Sequence, residues 1–343
     1  MAKIIFVGID DGHDSIKLSL DNGQSFVIPA RVSVGPHMLC SINGEDDRDH
    51  VYQVEDIEYS VIDFDTQAAI NYIDTRTQDY PYSKHNLALI YHVLNKAGIT
   101  GAISVMTGLP VERFYSNGQK NTALIEKKIN NLINTEVTNL NKDIILPNVV
   151  QHRVMSQALA SYFDLLLDDS GNINKEIEDI SKDSKIAIVD IGGRTTDIIT
   201  IDIGGESVDL SKSITRDIGA LYLKDAIKKR IMTDFAINQI SSVVLDRILA
   251  KNNFRHNGKI VDVSSIVKQE KMLLTNKILS LINQVLDIDF SEYGIVAFVG
   301  GGSLLIKDEL KLVYANQDNV VLTEDPQFAN SRGMFKFNKY ILK

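Results

Sequence analysis

The stretch VGIDDGHDSIKLSL, residues 7–20, and the stretch IVDIGGRTTDIITID, residues 188–202, follow the same plan. Each joins an apolar strand to an Asp-x-Gly turn, and then to a segment in which apolar and polar residues alternate, as is typical of a half-buried strand. A further turn and a third strand follow in both halves of the chain. We therefore expect two similar α/β halves that face each other, with the two Asp-x-Gly turns meeting across a cleft.

Length, charge and cysteine content narrow the class of protein. The 343 residues suggest two domains, and a hydrophobic content of 44% is that of a globular protein. The 36 Lys and Arg against 45 Asp and Glu give a net charge of −9, which disfavours direct binding to DNA or to an anionic membrane. The single Cys40 excludes an internal disulfide and favours the reducing cytosol, and no segment approaches the ~20 apolar residues of a membrane span. We expect a cytoplasmic protein that would reach nucleic acid only through a basic partner.

Apolar periodicity predicts the order of the remaining elements. Strands are predicted at 3–9, 16–20, 25–32, 102–107, 185–189, 199–203, 208–210 and 295–299, with further strands within 40–63. Helices are predicted at 83–97, 154–167, 219–232, 264–286 and 304–312, and the Lys- and Asn-rich segment 121–131 is expected to be an exposed helix or loop.

The Asp-x-Gly turns suit phosphate and a divalent cation. Glycine lets successive backbone N–H groups form a concave nest for phosphate oxygens, and the carboxylates of Asp10 and Asp190 can hold Mg²⁺ directly or through water. Ser15 and Thr195 add hydroxyl donors, and Lys17 can reach a phosphate as a point charge. One such turn by itself is most often a local hairpin device, but two at corresponding places favour a shared ligand.

Three consecutive glycines form a third element. Gly300, Gly301 and Gly302 lie between a predicted buried strand and a helix, so a flat group could approach the backbone there, and the helix N-terminus favours anions. The alternative is a tight strand-to-helix connection. The spacing differs from the GxGxxG of dinucleotide-binding folds, and no GxxxxGK[ST] loop is present, so both of those classes are disfavoured.

Together these motifs resemble a known superfamily. The stretches VGIDDGHDSIKL, IVDIGGRTTDI and VAFVGGGSLLIKDEL are similar, in order, to the two phosphate loops and the adenosine motif of the actin superfamily, which includes the seventy-kilodalton chaperones and sugar kinases. Three further stretches resemble the ParM/StbA branch of plasmid-segregation proteins: VMTGLPVERFY (105–115), SQALASYFDLLLDDSGNI (156–173) and ANSRGMFKF (329–337). The resemblance covers nearly the whole chain.

The resemblance implies a fold and a site. The fold would be actin-like: two similar α/β domains with duplicated ribonuclease H-like cores around a nucleotide cleft, domain I from 1–164 and 325–343 and domain II from 165–324. Asp10 and Asp190 would organise Mg²⁺, and Asp190 would lie near the attacking water. ATP, with GTP as the alternative, would be bound by Asp10, Asp11, Gly12, Ser15, Lys17, Gly192, Gly193, Arg194, Thr195, Gly300, Gly301, Gly302 and Ser303.

Gln157 is the predicted residue for orienting the hydrolytic water, at the place of the actin-family glutamine. Its amide can both donate to and accept from water without acting as a strong base. Some ParM relatives carry a glutamate after a proline in this region, whereas here Pro147 is followed by Asn148. Arg194 also departs from the small residue common in related loops; it could contact a phosphate or point to solvent.

The function that the resemblance implies is a nucleotide-driven filament protein. It would be an ATPase that assembles with copies of itself and moves or positions plasmid DNA through a basic, DNA-bound adaptor of the ParR type on a centromere-like site, without contacting nucleic acid or membrane. Phage DNA is the alternative cargo. A small-molecule kinase, a chaperone-like ATPase and a membrane-tethered scaffold remain alternatives, although we identify no substrate base, no substrate domain and no amphipathic membrane tail.

Overall fold

The computed structural model describes residues 3–37, 39–40, 46–64, 71–286 and 289–342. Within these ranges, only the backbone is described at Leu39–Cys40 and Asp46–Asp47, which pair as a short two-stranded ribbon. The side chain of Cys40 and residues 41–45 of the predicted strand region therefore lie outside the described part of the chain.

The first half builds a five-stranded sheet around the predicted hairpin. From edge to edge its strands are Asn148–Ser156, Ala102–Leu109, Ile5–Asp11, Ser15–Leu20 and Ser25–Pro29. A smaller sheet follows the order Val137–Asn139, Val51–Val54, Ile57–Val61 and Val32–Val34, and a short ribbon pairs Tyr115–Ser116 with Gln119–Lys120. The helices of this half are Lys84–Lys96, Val111–Phe114, Thr122–Asn134 and Gln157–Leu166, with a 3₁₀ turn at Tyr80–Tyr82.

The second half repeats the five-stranded plan. From edge to edge its strands are Ile214–Arg216, Thr196–Ile201, Lys185–Ile191, Tyr293–Val299 and Val320–Leu322. Its helices are Lys175–Asp183, Ala220–Asp234, Ser242–Lys251, Ser264–Val285, Gly301–Leu305 and Lys307–Val313, with a 3₁₀ turn at Leu210–Lys212 and a hairpin of Asn253–His256 and Lys259–Asp262. In each sheet the hairpin pairs antiparallel, while its first strand also pairs in parallel with a later strand. The predicted duplication of strand, turn and strand is confirmed.

The chain returns to the first half at its end. A 3₁₀ turn at Pro326–Phe328 leads into the helix Ala329–Lys336 and a π-helical turn at Phe337–Ile341. The helix Ala329–Lys336 packs against the helix Gln157–Leu166 so closely that a Cβ at Gly333 would lie 1.7 Å from the Ala160 carbonyl oxygen. The helix Gln157–Leu166 also has a second face, where Ala158 and Tyr162 join the apolar core below the second sheet. This helix therefore contacts both halves.

Several predicted elements need correction. The hairpin strands Ser15–Leu20 and Thr196–Ile201 are buried almost throughout, because helices or loops cover both faces of each sheet. Residues 154–156 belong to a strand, since they pair with the parallel strand Ala102–Leu109. Val208 forms only an isolated bridge, and Ile214–Arg216 supplies the third strand of the second sheet.

Other differences concern helices. The predicted helix at 304–312 is two short helices, and the helix Ser242–Lys251 with its following hairpin had no predicted counterpart. The predicted segment 121–131 is helical but not wholly exposed, because Lys128 is buried. In the part of the chain that the structure describes, no helix is both long and apolar enough to cross a bilayer.

Candidate functional site

The two Asp-x-Gly turns lie against each other between the sheets. A Cβ at Gly193, in the second turn, would come within 2.5 Å of the Asp14 Cβ in the first turn. The helix Ala220–Asp234 begins beside the second turn, where the Ala220 and Leu221 amides donate to the Gly192 and Gly193 carbonyls at 3.0 and 2.8 Å. The predicted meeting of the turns is confirmed, and glycine is needed at 193 because a side chain would collide with the first turn.

A cavity of about 270 Å³ opens where the turns meet. All three glycine motifs contribute to its wall: Ser15 and Lys17 from the first, Gly193 from the second, and Gly301 and Gly302 from the third. The remaining lining residues come from helices and connections of the second half and from the first turn: Asp14, Ala220, Lys224, Asp246, Leu249, Ala250, Leu305 and Gln327. The cavity thus has a polar wall of turns and lysines and a partly apolar wall of helices.

Asp10 lies at the end of the first strand with both carboxylate oxygens engaged. Lys17 donates from Nζ to one oxygen at 3.0 Å, and Gln157 donates from Nε2 to the other at 3.0 Å. Burial disfavours the charged Lys17 ammonium, but Asp10, with Asp190 and Asp14, holds the pKa of Lys17 above its ordinary value. The structure therefore brings together three of the predicted residues, Asp10, Lys17 and Gln157, as one buried cluster.

Asp190 occupies the corresponding place in the second half, with different partners. Asn330 donates from Nδ2 to Asp190 Oδ2 at 2.7 Å, whereas the buried Oδ1 has no hydrogen-bond partner. Burial, with the negative charges of Asp197 and Asp10, raises the pKa of Asp190 to about 7. An unpaired, buried carboxylate oxygen of this kind is suited to a cation or a polarised water, since either supplies the missing partner.

The third glycine motif closes over Asp190. Gly300 has a φ of 85°, and a Cβ there would lie 2.3 Å from Asp190 Oδ1. The buried Ser303 hydroxyl donates to the Gly300 carbonyl at 2.7 Å, which fixes the start of the short helix behind the cavity. Gly301, in contrast, has open space beside it, the nearest heavy atom lying 3.9 Å from its ideal Cβ.

Two predicted residues make other contacts. The Asp11 carboxylate forms a buried ion pair with Lys128, whose Nζ lies 2.8 Å from each carboxylate oxygen and 2.6 Å from the Gly108 carbonyl oxygen. Arg194 donates to Asp217 at 3.0 Å and to the Arg76 carbonyl. Asp11 and Arg194 do not line the cavity, and Asp10, Asp190 and Gln157 lie outside its lining as well.

The remaining predicted residues are held by the backbone of the turns. The Gly12 carbonyl accepts from the Tyr80 hydroxyl at 3.0 Å, and the Gly192 amide donates to the Thr195 carbonyl at 2.8 Å. The Thr195 hydroxyl donates to Asp197 at 2.8 Å, so in this structure it serves the turn.

Sequence reasoning missed three residues at the site. Asp197, buried, accepts from the Val111 amide at 2.9 Å and from two threonine hydroxyls, and so ties the second turn to the first half. Lys224 bridges Asp14 and Asp246 at 2.6 and 3.0 Å beside the cavity. Asn330 holds Asp190. Asp197 lies in the second strand of the Asp-x-Gly hairpin, close to the predicted turn, so its position was a readable signal, but nothing local marked Lys224 or Asn330.

The carboxylates at the site fit a cation that takes phosphate oxygens among its ligands. Among the described residues, no group of three or more His, Cys, Asp or Glu side chains could hold a metal ion. Mg²⁺, however, usually takes only one or two carboxylates and completes its shell with water and phosphate oxygens. Asp190 Oδ1 is available for such a role, while both oxygens of Asp10 are engaged by Lys17 and Gln157.

Two protein-family models match parts of the chain. Residues 5–168 match the family model for the N-terminal region of the plasmid segregation protein ParM, and residues 188–312 match the model for the C-terminal region of archaeal MreB-like actin homologues. Curated protein sequences gave no significant match. The predicted resemblance to the ParM/StbA family is confirmed.

Solved structures show the same fold along nearly the whole chain. A subunit of a 15-stranded ParM filament from Clostridium botulinum superposes with a TM-score of 0.77 at 18% identity, covering 98% of this chain and 99% of that chain. The archaeal actin homologue Ta0583, in complex with ADP, superposes with a TM-score of 0.74 at 19% identity, covering 97% and 98%. The predicted actin-like fold of two α/β domains is confirmed, while the domain boundaries at 164/165 and 324/325 stay predictions.

Proposed function

We propose that this chain, which has an actin-like fold and an N-terminal region that matches the ParM family, is a nucleotide-driven filament protein. It binds ATP, or GTP, with Mg²⁺, hydrolyses it, and assembles with further copies of itself. The observation that carries the proposal is the 270 Å³ cavity, because residues from all three glycine motifs line it and the unpaired Asp190 oxygen lies beside Gly300, which directly precedes two of them. A single local turn would explain none of this convergence.

The nucleotide is proposed to lie across the cavity. The turn amides and Lys17 would bind its phosphates, and Gly301, Gly302 and Leu305 would bind its base and ribose, since glycine leaves room for a flat group there. The proposed site includes the remaining predicted turn residues through their backbone, but not Asp11 or Arg194, which are engaged elsewhere. Bound Mg²⁺ would supply positive charge to the phosphates, held by Asp190 and, through water, Asp10.

Hydrolysis is proposed to need positioning rather than a covalent nucleophile. Gln157 has a carbonyl oxygen free to accept from a water while its Nε2 is held on Asp10, so the amide orientation is fixed before the nucleotide enters. Asp190, which would hold the Mg²⁺, is proposed to lie close to that water.

Nucleotide occupancy would be coupled to assembly through the cleft. Both turns contact the same cavity, so phosphates bound between them would hold the two halves together, and loss of the γ-phosphate would remove some of those contacts. A head-to-tail contact that does not close into a ring gives an open filament. We further propose that the filament moves or positions plasmid DNA in the cytoplasm through a basic adaptor of the ParR type, which the net charge of −9 favours over direct DNA contact.

The deciding experiment follows light scattering and phosphate release together after adding Mg²⁺ with ATP, GTP, ADP or a non-hydrolysable ATP analogue. A concentration threshold, with scattering that decays as phosphate appears and persists with the analogue, supports the proposal. Turnover without scattering at any concentration would instead indicate a kinase or a chaperone-like ATPase. Binding without turnover or scattering would indicate a nucleotide-binding scaffold.

A further inference from the structure

Asp190 is held in place by Asn330, a residue outside the three glycine motifs. The Asn330 Nδ2 donates to Asp190 Oδ2 at 2.7 Å, and the Asn330 Oδ1 accepts from the Ser161 hydroxyl at 2.6 Å. All three side chains are buried, with 5% of Asn330, 3% of Asp190 and none of Ser161 exposed. The chain Ser161–Asn330–Asp190 therefore links two helices of the first half to the carboxylate of the second.

The direction of these hydrogen bonds is fixed by chemistry. In the ionised form that would bind a cation, the Asp190 carboxylate only accepts, so the amide nitrogen of Asn330 must face it. The amide oxygen then faces Ser161, whose hydroxyl is the donor that this oxygen needs. Ser161 thus donates to the Asn330 amide oxygen, and Asn330 in turn occupies Asp190 Oδ2, which leaves Oδ1 as the oxygen without a partner beside Gly300.

The support behind Asn330 is rigid. Its helix, Ala329–Lys336, touches the helix Gln157–Leu166 at Gly333, and Asp164 pairs with Arg332 and Lys336 at 2.6 and 2.8 Å at the far end of the same contact. Gln157 and Ser161 are four residues apart and so lie on one face of one helix. One helix therefore orients both predicted catalytic groups: Gln157 directly, and Asp190 through Ser161 and Asn330.

We propose that Asn330 is a positioning residue for nucleotide hydrolysis, which sets the orientation of Asp190 so that Oδ1 is the oxygen presented to the cation or its water. The inference rests on the proposed nucleotide site and goes beyond it, because it assigns a role to a residue outside the three glycine motifs and the cavity wall. Mutation of a group that orients a metal-binding carboxylate typically lowers metal affinity or activity by about 10- to 100-fold.

The test uses Asn330→Ala, the isosteric Asn330→Asp, Ser161→Ala, and Asn338→Ala as the matched control. Asn338 is also a buried asparagine near the chain's end, but it bonds to Ser104 and Arg153, away from Asp190. Each full-length variant is assayed for phosphate release at saturating ATP, and for binding of a fluorescent ATP analogue with Mg²⁺ and with EDTA. Thermal unfolding of each nucleotide-free variant reports whether it folds.

Both Asn330 variants are expected to lower phosphate release by about 10- to 100-fold and to lose most of the Mg²⁺-dependent gain in nucleotide affinity, while binding in EDTA changes less than about 3-fold. Asn330→Asp is expected to be as impaired as Asn330→Ala although it fills the same volume, because it lacks the N–H donor. Ser161→Ala should be intermediate, and combining it with Asn330→Ala should add nothing further, since both act through one path.

Three results would overturn the inference: Asn330 variants with parental phosphate release and Mg²⁺ dependence, an Asn330→Asp variant as active as the parent, or an Asn338→Ala variant with the same losses at equal stability. The proposed function fails in a different way. A parent protein that binds nucleotide without hydrolysing it refutes that function, and the Mg²⁺ and EDTA binding arms then decide the role of Asn330 by themselves. A parent that binds no nucleotide refutes both.

Discussion

The two Asp-x-Gly turns are close relatives in sequence, yet their aspartates have different surroundings. Asp10 is saturated, with Lys17 on one oxygen and Gln157 on the other. Asp190 has a single partner, Asn330, an unpaired second oxygen, and a pKa raised to about 7 by burial and by neighbouring carboxylates. The first turn holds a carboxylate with a partner on each oxygen, and the second holds one with a partner on Oδ2 only.

This difference shows how a duplicated fold can divide one task between its halves. The residue seven positions after the aspartate is Lys17 in the first hairpin and Asp197 in the second. A cation there neutralises Asp10, whereas a second carboxylate makes charge on Asp190 less favourable. Free energy stored in the unpaired carboxylate becomes available when a cation or proton binds, so the second half is the side expected to respond to the ligand.

The largest expected effect comes from removing the ionisable group of Asp190. Asp190→Asn keeps the size of the side chain but cannot ionise, so we expect phosphate release at saturating Mg²⁺ and ATP to fall by about 1000-fold. Binding of ATP in EDTA should persist. An Asp190→Asn protein that hydrolyses ATP within about 10-fold of the parent would contradict the division of roles between the two turns.

The glycine beside Asp190 gives the next effect. Gly300→Ala should cost about 3 kcal/mol of unfolding free energy, because φ is 85° and the new Cβ would lie 2.3 Å from Asp190 Oδ1. Gly301→Ala is the matched control, since its Cβ meets nothing closer than 3.9 Å. It should leave stability within about 0.5 kcal/mol and weaken nucleotide binding instead. Urea unfolding and nucleotide titration of both variants separate these outcomes.

The pH dependence of stability distinguishes the two carboxylates directly. In the nucleotide-free protein the pKa of Asp190 is about 7 against an ordinary 3.8, so between these values the native state keeps a proton that the unfolded state has released. Stability should therefore fall as pH rises through this window, and the penalty is complete above pH 7. Because Asp190→Asn removes this penalty, its free energy of unfolding relative to the parent should be about 2 kcal/mol higher at pH 8 than at pH 5, as measured by urea unfolding in EDTA.

Asp10→Asn provides the opposing case. It leaves the buried Lys17 ammonium without its carboxylate, so the variant should be destabilised at pH 8 by about 3 kcal/mol. Stabilisation of both variants, or of neither, would mean that the two turns do not differ in the way that their hydrogen bonds indicate.

A smaller effect is expected at Gln157. Gln157→Ala should slow phosphate release by about 10- to 100-fold while ATP binding and assembly with the non-hydrolysable analogue remain. The lost donor to Asp10 should also cost about 1 kcal/mol of stability, because Lys17 continues to neutralise the carboxylate. Loss of nucleotide binding in this variant would count against a water-positioning role.

The smallest effect is expected at Arg194. Its partly exposed pair with Asp217 should contribute about 0.5 kcal/mol, so Arg194→Ala should leave stability and nucleotide affinity almost unchanged. A tenfold loss of ATP affinity in this variant would show that Arg194 leaves Asp217 to contact a phosphate, as the sequence allowed.

The mismatches between the sequence-based predictions and the structure have non-local causes. Lys128 was expected on an exposed surface because its helix is rich in Lys and Asn, yet it is buried against Asp11. Residues 154–156 read as the start of a helix but extend a strand, since a parallel neighbour offers them hydrogen bonds. In both cases a partner distant in sequence outweighs the local pattern.

The sequence by itself determined the duplicated hairpins and the residue types at the two turns and the glycine triplet. These are local properties, set by side-chain periodicity and by the backbone freedom of glycine. Only the tertiary structure decided which carboxylate is neutralised and which is left with a free oxygen. Asn330 lies 140 residues from Asp190, and Gln157 lies 147 residues from Asp10. Hydrogen bonds and burial across such separations depend on how the helices pack. Packing therefore sets the charge states of Asp10 and Asp190, which a local sequence pattern cannot predict.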